Sequence, residues 1–190
     1  MKRAALIYYS IDGHTHLVAQ AMGKRLDCPV IRLQLQQEFS TTSKFLKYFW
    51  AGKSSVFHDK PELANKTLDL TAYDTLIIAT PVWAGNLSSP VRSFLARYAP
   101  EGKQVYLVAT NSGGTFEKCF ATMRKLLPKS TIQQEIGFVE VTEDTYPTQH
   151  KERLEAFCAE ILARSKAPEK PKEEERGGTG KKSGKQVTRG

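Results

Sequence analysis

Short apolar runs alternate with stretches of helical spacing along most of the chain. Ala4–Tyr9 is an apolar run bounded by polar residues, which predicts a buried strand. Leu17, Val18, Ala21, Met22 and Leu26 then recur on one helical face. Val30–Leu35 and Thr75–Thr80 read as the second and third strands. Val91, Phe94, Leu95 and Tyr98 stand at i, i+3, i+4 and i+7, with Pro90 suited to the first turn of that helix. Val105–Thr110 predicts a fourth strand. Phe116, Cys119, Phe120, Met123 and Leu127 predict a helix stopped by Pro128. Ile132–Val141 carries a fifth strand, and Leu154, Phe157, Cys158, Ile161 and Leu162 give the closing helix.

Strand and helix in alternation predict an α/β fold, a parallel sheet with helices on both faces. The chain has 190 residues. The pattern occupies residues 1–165 as one domain. Residues 166–190 are rich in Lys, Glu, Gly and Pro without periodicity and are expected to be a disordered basic tail. From Arg164 onward nine Lys or Arg face four Glu, a surplus of +5 that leaves +3 of the formal +8 for everything before it. The folded part is therefore only mildly basic, and the overall charge does not argue for nucleic-acid binding by the domain. The tail is read as a solvated extension, with weak contact to nucleic acid or anionic membrane as the alternative. No apolar run is long enough to span a bilayer. Three scattered cysteines, Cys28, Cys119 and Cys158, show no CxxC pairing, and with no signal-peptide pattern they lead us to expect reduced thiols in a cytoplasmic protein.

Doubly wound sheets bind ligands beyond the carboxyl ends of their strands. Three stretches after strands carry suitable groups. Ser10-Ile11-Asp12-Gly13-His14-Thr15 precedes a helix, where backbone N–H groups, the helix dipole and the Ser10 and Thr15 hydroxyls suit an anion. The same residues also suit a plain helix cap. Thr80-Pro81-Val82-Trp83-Ala84-Gly85-Asn86 reads as a shaped turn carrying an aromatic that belongs to no strand or helix pattern. Trp83 suits the side of a planar ring, or simply closes the core. Asn111-Ser112-Gly113-Gly114-Thr115 allows close approach of a ligand to the backbone, or serves as an ordinary connection. Taken together they offer a phosphate nest, polar edges and an aromatic, which suits a phosphorylated planar cofactor. Neither GxxxxGK[ST] nor a GxGxxG after the first strand is present, which argues against a nucleoside triphosphate site or an NAD-type Rossmann unit. The histidines His14, His16, His58 and His150 make no metal-ligand spacing.

In these stretches the chain resembles the flavodoxin superfamily. Tyr9–Thr15 is similar to that family's phosphate loop, Ile78–Leu95 (IATPVWAGNLSSPVRSFL) to its first flavin loop and following helix, and Thr110–Gly114 to its second flavin loop. The middle stretch is most similar to flavodoxin-like FMN-dependent NAD(P)H oxidoreductases, which carry a Pro-x-aromatic loop and a Pro-Val-basic helix start. The resemblance implies a three-layer, five-stranded parallel sheet in the order 2-1-3-4-5 and one FMN. It places the phosphate at the loop of Ser10, Asp12, Gly13, His14 and Thr15. One side of the isoalloxazine would meet Pro81, Val82, Trp83, Ala84, Gly85 and Asn86, the other Asn111, Ser112, Gly113 and Gly114. Asp12 stands where that family has threonine, and His14 where it has asparagine. A carboxylate beside a phosphate disfavours affinity unless it turns away or a charged His14 offsets it. The Asp-Gly-x-Thr variant also resembles flavodoxin-like protoporphyrinogen oxidases.

The resemblance implies either an oxidoreductase passing electrons from NAD(P)H through FMN to a quinone-like or other small acceptor, or an electron carrier serving a redox partner protein. A binding module that has lost FMN is the third reading. Carriers are acidic around the flavin, and no acidic cluster stands near the three loops, which favours the enzyme. The segment Phe39–Phe57 holds six aromatics (Phe39, Phe45, Tyr48, Phe49, Trp50, Phe57) interleaved with Lys44, Lys47 and Lys53. It reads as a second helix packed on the sheet, or as an apolar substrate wall or homodimer surface.

Overall fold

The computed structural model describes residues 3–37, 52–55, 59–65 and 67–166, with the side chain of Lys166 set aside. The six aromatics of the 39–57 segment and residues 167–190 of the expected tail lie outside the described residues.

The first strand, β1 (Ala4–Tyr8), leads into α1 (His14–Leu26) and then β2 (Val30–Arg32). The chain returns through β3 (Thr75–Trp83), a two-residue β4 (Asn86–Leu87) and α2 (Ser89–Tyr98). Next come β5 (Gln104–Asn111), α3 (Glu117–Leu126), β6 (Thr131–Val139), a π-helical turn at Tyr146–His150 and α4 (Lys151–Lys166). The sheet order is β2-β1-β3-β5-β6, with every neighbouring pair on that path parallel. Counting those five strands alone, this is the expected 2-1-3-4-5 order. The addition is β4, which pairs antiparallel with the end of β3.

The central strands β1, β3 and β5 bury both faces, so their side chains sort alternately into two cores. Ala5, Ile7, Leu76, Ile78, Val105 and Leu107 pack with Val91, Phe94 and Leu95 of α2 and with Cys119 and Met123 of α3. Leu6, Tyr8, Ile77, Tyr106 and Val108 pack with Val18 and Met22 of α1 and with Leu154, Phe157 and Cys158 of α4. Helices therefore cover the sheet in pairs, α2 and α3 on one side, α1 and α4 on the other.

The third strand is longer than its apolar run indicates. It continues through Pro81, Val82 and Trp83, because β4 folds back to pair Val82 with Leu87 and Trp83 with Asn86. The two residues between, Ala84 and Gly85, have φ of 48° and 75°. Two positive φ values in a two-residue connection mark a type I′ hairpin turn, whose twist matches its strands. Trp83 is thus a strand residue, where the sequence placed it in a turn outside the strand pattern.

Close packing of α1 on β2 depends on Gly23, where a Cβ would lie 2.1 Å from Cγ2 of Val30. Alanine is the better helix former by about 1 kcal/mol, but overpacking costs about 1–3 kcal/mol. Gly23→Ala should therefore lower stability in urea unfolding followed by circular dichroism, and Gly23→Ala/Val30→Ala should recover part of the loss. Unchanged stability in the single variant would mean that α1 shifts without cost.

All three cysteines are free, with Cys119 and Cys158 fully buried. Burial pushes the Cys119 thiol from 9.0 up to about 12, and Cys158 likewise to about 12. A thiol that ionises less readily when folded contributes stability below the unfolded pKa, and loses it as the pH rises through the folded value. The urea midpoint should fall as the pH rises from about 9 to about 12. Native protein at pH 8 should also react with a disulfide reagent at Cys119 and Cys158 far more slowly than unfolded protein. Equal rates would overturn the burial argument.

Candidate functional site

At the carboxyl ends of β1, β3 and β5 lies a cavity of about 320 Å³. Its lining includes Ser10, Asp12, His14, Thr15, Pro81, Val82, Trp83, Ala84, Asn111 and Ser112, ten of the residues singled out in the sequence. The sheet order brings them together, because β1, β3 and β5 are consecutive neighbours.

The first loop turns into α1 through Gly13, whose φ of 94° suits only a residue without a Cβ. Gly13 lies beside the cavity and does not line it. Its amide donates to Oγ of Ser10 at 3.1 Å, so that hydroxyl accepts a loop bond and keeps its proton for another partner. Thr15 is 1% exposed and its Oγ1 lies 2.7 Å from Oγ1 of Thr110, the residue that begins the third stretch. That buried bond ties the first loop to the end of β5. Nδ1 of His14 donates to the carbonyl of Val141 beyond β6. Only Nε2 of His14 remains to face a ligand. Arg32, at the end of β2, donates from Nη2 to the Ser10 carbonyl at 3.1 Å, which fixes a cation against the outer side of this loop.

The second stretch forms a wall. Trp83 is 5% exposed, sits edge-on to Tyr9 with ring centroids 5.6 Å apart, and borders the cavity. Trp83 packs in the core and also lines the cavity. Gly85 and Asn86 do not reach the cavity. Gly85 completes the hairpin turn, and Asn86 is buried with its Oδ1 accepting from the Leu87 amide at 3.0 Å. Behind the wall, Oγ1 of Thr80 accepts from the Ser88 amide and meets Oγ of Ser88, both at 3.0 Å, which locks the hairpin onto the start of α2.

The third stretch is held by Asn111. Its Oδ1 accepts from the amides of Gly113 and Gly114, and its Nδ2 donates to the Thr115 carbonyl at 2.9 Å. Gly113 and Gly114 are exposed and outside the cavity lining. Asn111 therefore shapes its own loop while also lining the cavity.

Sequence reasoning missed Ile11, Gly52, Thr110, Glu140 and Val141, all of which line the cavity. Ile11 and Thr110 adjoin residues that were singled out. Glu140 and Val141 follow β6, which pairs with β5, so the switch-point rule already pointed to that loop. Gly52 lies in the 39–57 segment, one reading of which was a wall at the site. Glu140 also alters the charge picture. It shares the cavity with Asp12, so two carboxylates line the site where no acidic cluster was expected.

A family model described as flavodoxin matches residues 3–145. No curated protein sequence gives a significant match. Among solved structures, a flavoprotein from Lactobacillus acidophilus NCFM, crystallised in complex with FMN, superposes with a TM-score of 0.64 at 17% identity, covering 80% of this chain and 99% of that one. A WrbA-like flavodoxin protein from Agrobacterium tumefaciens gives 0.53 at 15% identity, covering 87% of this chain and 99% of its own. Rubredoxin oxygen:oxidoreductase from Desulfovibrio gigas also gives 0.53, at 13% identity, with 87% of this chain matching 36% of that one. At these identities the superpositions speak for the fold alone.

If Asn111 shapes the third loop, Asn111→Ala should cost about 1 kcal/mol, the usual worth of such bonds. It should also speed amide hydrogen exchange at Gly113 and Gly114. Exchange rates equal to those of the parent would show that the glycines hold their shape without it.

Proposed function

Because the chain belongs to the flavodoxin family, we propose that it is an FMN-binding oxidoreductase that passes electrons from NAD(P)H to a quinone-like or other small acceptor. The observation that carries this reading is the single cavity joining the Ser10–Thr15 turn, the Trp83 wall and the end of β5. Its size falls in the range of small-molecule sites. One end offers the Ser10 and Thr15 hydroxyls and the first turn of α1, the groups that suit a phosphate. The other end is bounded by Pro81, Val82 and Trp83, which suit a planar ring system. The residues present fit the group.

When bound, FMN supplies the redox chemistry, taking up electrons from the nicotinamide and releasing them to the acceptor. The chain's own residues bind and orient it. Ser10 and Thr15 hold the phosphate with the α1 amides, while Trp83 keeps water from one side of the ring. Arg32 braces the loop from outside through the Ser10 carbonyl, and His14 is held in place through its Nδ1.

A second reading, an electron carrier docking a basic redox partner protein, is favoured by the two carboxylates of Asp12 and Glu140 in the cavity lining. Turnover separates the two. The enzyme reduces a quinone with NAD(P)H at a catalytic rate, and the carrier does so only when a separate reductase is added.

The purified chain should show a visible flavin spectrum at one FMN per chain, retained on gel filtration. Asp12→Asn should tighten FMN several-fold by removing a like charge near the phosphate, and should leave riboflavin, which has none, unchanged. A protein that stays colourless with excess FMN would reject the cofactor assignment and favour a binding module that has lost FMN. An equal gain for riboflavin would move the phosphate away from this loop.

A further inference from the structure

One hydrogen bond beside the cavity decides which nitrogen of His14 carries a proton. Nδ1 of His14 meets the Val141 carbonyl. A carbonyl oxygen only accepts, so Nδ1 is the donor in every protonation state that keeps this bond. In the neutral ring the other nitrogen, Nε2, then bears a lone pair and can only accept. It donates only when the ring is an imidazolium.

The Val141 carbonyl is held in place. Val141 is 1% exposed. The amide of Thr142, the other half of the same peptide unit, donates to Oγ1 of Thr145 at 2.8 Å. Because that unit is planar, a bond at each end sets its orientation. The Thr145 hydroxyl in turn donates to the Glu140 carbonyl at 2.6 Å. The Glu140 amide donates to the Asn111 carbonyl at 2.8 Å, which ties the turn to the end of β5. The turn after β6 is thus a fixed support for the His14 ring, and both His14 and Val141 line the cavity.

The charges around the ring are mixed. Asp12 on its own loop and Glu140 on the supporting turn share the cavity with it and attract a cation. Exposed Glu143 and Asp144 follow on the same turn, where water screens them. Arg32, bonded to the Ser10 carbonyl, repels a cation, as does the positive end of α1, of which His14 is the first residue. Lys53 follows Gly52 of the lining. His16 is turned to the Tyr8 hydroxyl, with Nδ1 2.6 Å from it. A phosphate dianion beside Nε2 tips this balance, because a neutral ring would set a lone pair against its oxygens.

We infer that His14 holds the FMN phosphate as an imidazolium, donating from Nε2, so that binding the cofactor takes up a proton. This rests on the FMN assignment proposed above and adds its dependence on pH. The proton comes from the solvent and ends between Nε2 and a phosphate oxygen, one for each dianion bound. Affinity therefore rises as the pH falls, by at most about tenfold per pH unit. Riboflavin, which has no phosphate, binds without this uptake.

The test is titration calorimetry of the full chain with FMN at pH 7 and pH 8.5, each in two phosphate-free buffers that differ in ionisation enthalpy. The phosphate of FMN, with a second pKa of about 6, is a dianion across this range. The parent should take up close to one proton at pH 8.5, and should bind FMN about tenfold more weakly there than at pH 7. His14→Asn, which donates without titrating, should take up none and change by less than about twofold. Riboflavin should show neither effect with either protein. Nitrogen-15 NMR of the His14 ring is the second readout, with both ring nitrogens protonated at pH 7.5 once FMN is added. Equal uptake in parent and His14→Asn, uptake with riboflavin, or a ring that stays neutral with FMN bound would overturn the inference and leave the flavin reading standing. A chain that binds no FMN at either pH would reject the flavin reading, and this inference with it.

Discussion

A parallel sheet covered on both faces confines chemistry to its ends, and the rest of this structure depends on that constraint. Residues 76–79 of β3 and 105 and 107–109 of β5 are wholly excluded from solvent. Polar side chains along these strands would carry a large desolvation cost. They are displaced to the carboxyl ends, where Ser10, Thr15, Thr80 and Thr110 cluster as buried hydroxyls that satisfy one another or the adjacent backbone. The bond between Thr15 and Thr110 spans 95 residues of sequence. It holds two loops of the site in register without any contribution from a ligand. That is preorganisation in a literal sense, since ordering the loops is part of folding rather than of binding.

The same constraint explains which features could be read from the sequence. Buried strands and amphipathic helices announce themselves by periodicity, so α2 was legible from Pro90, Val91, Phe94, Leu95 and Tyr98. The end of β3 was not, because Pro81 breaks the strand signal and the partner that extends the strand is only two residues long. An Asn-Gly pair would have marked the I′ turn. Here its first position is Ala84, which takes a positive φ at some cost and gives no sign of it. Asn111 shows a different limit. The sequence offered that loop's backbone to a ligand, and the fold adds that the Asn111 side chain bonds the loop itself. Local sequence shows which atoms can bond, whereas only the fold shows which are already bonded.

Charge placement follows a similar division. Asp12 looked like a defect in an anion-binding turn, with His14 as the residue to correct it. The fold commits His14 Nδ1 to Val141 and brings Arg32, 22 residues from Ser10, onto the loop carbonyl. Glu140 arrives from the far side of β5 and makes the rim more acidic. The rim thus holds charges of both signs, and exposed charges of this kind act mainly on encounter and orientation.

Arg92 belongs to a different category. At the rim, water screens each charge and a mismatch costs little. Arg92 is 5% exposed, and its Nε and Nη2 are buried without a partner among the described residues, so its charge weighs on stability. Replacing it with an apolar side chain of similar length would remove the cost at once, because α2 packs on the sheet through Val91, Phe94 and Leu95 rather than through Arg92.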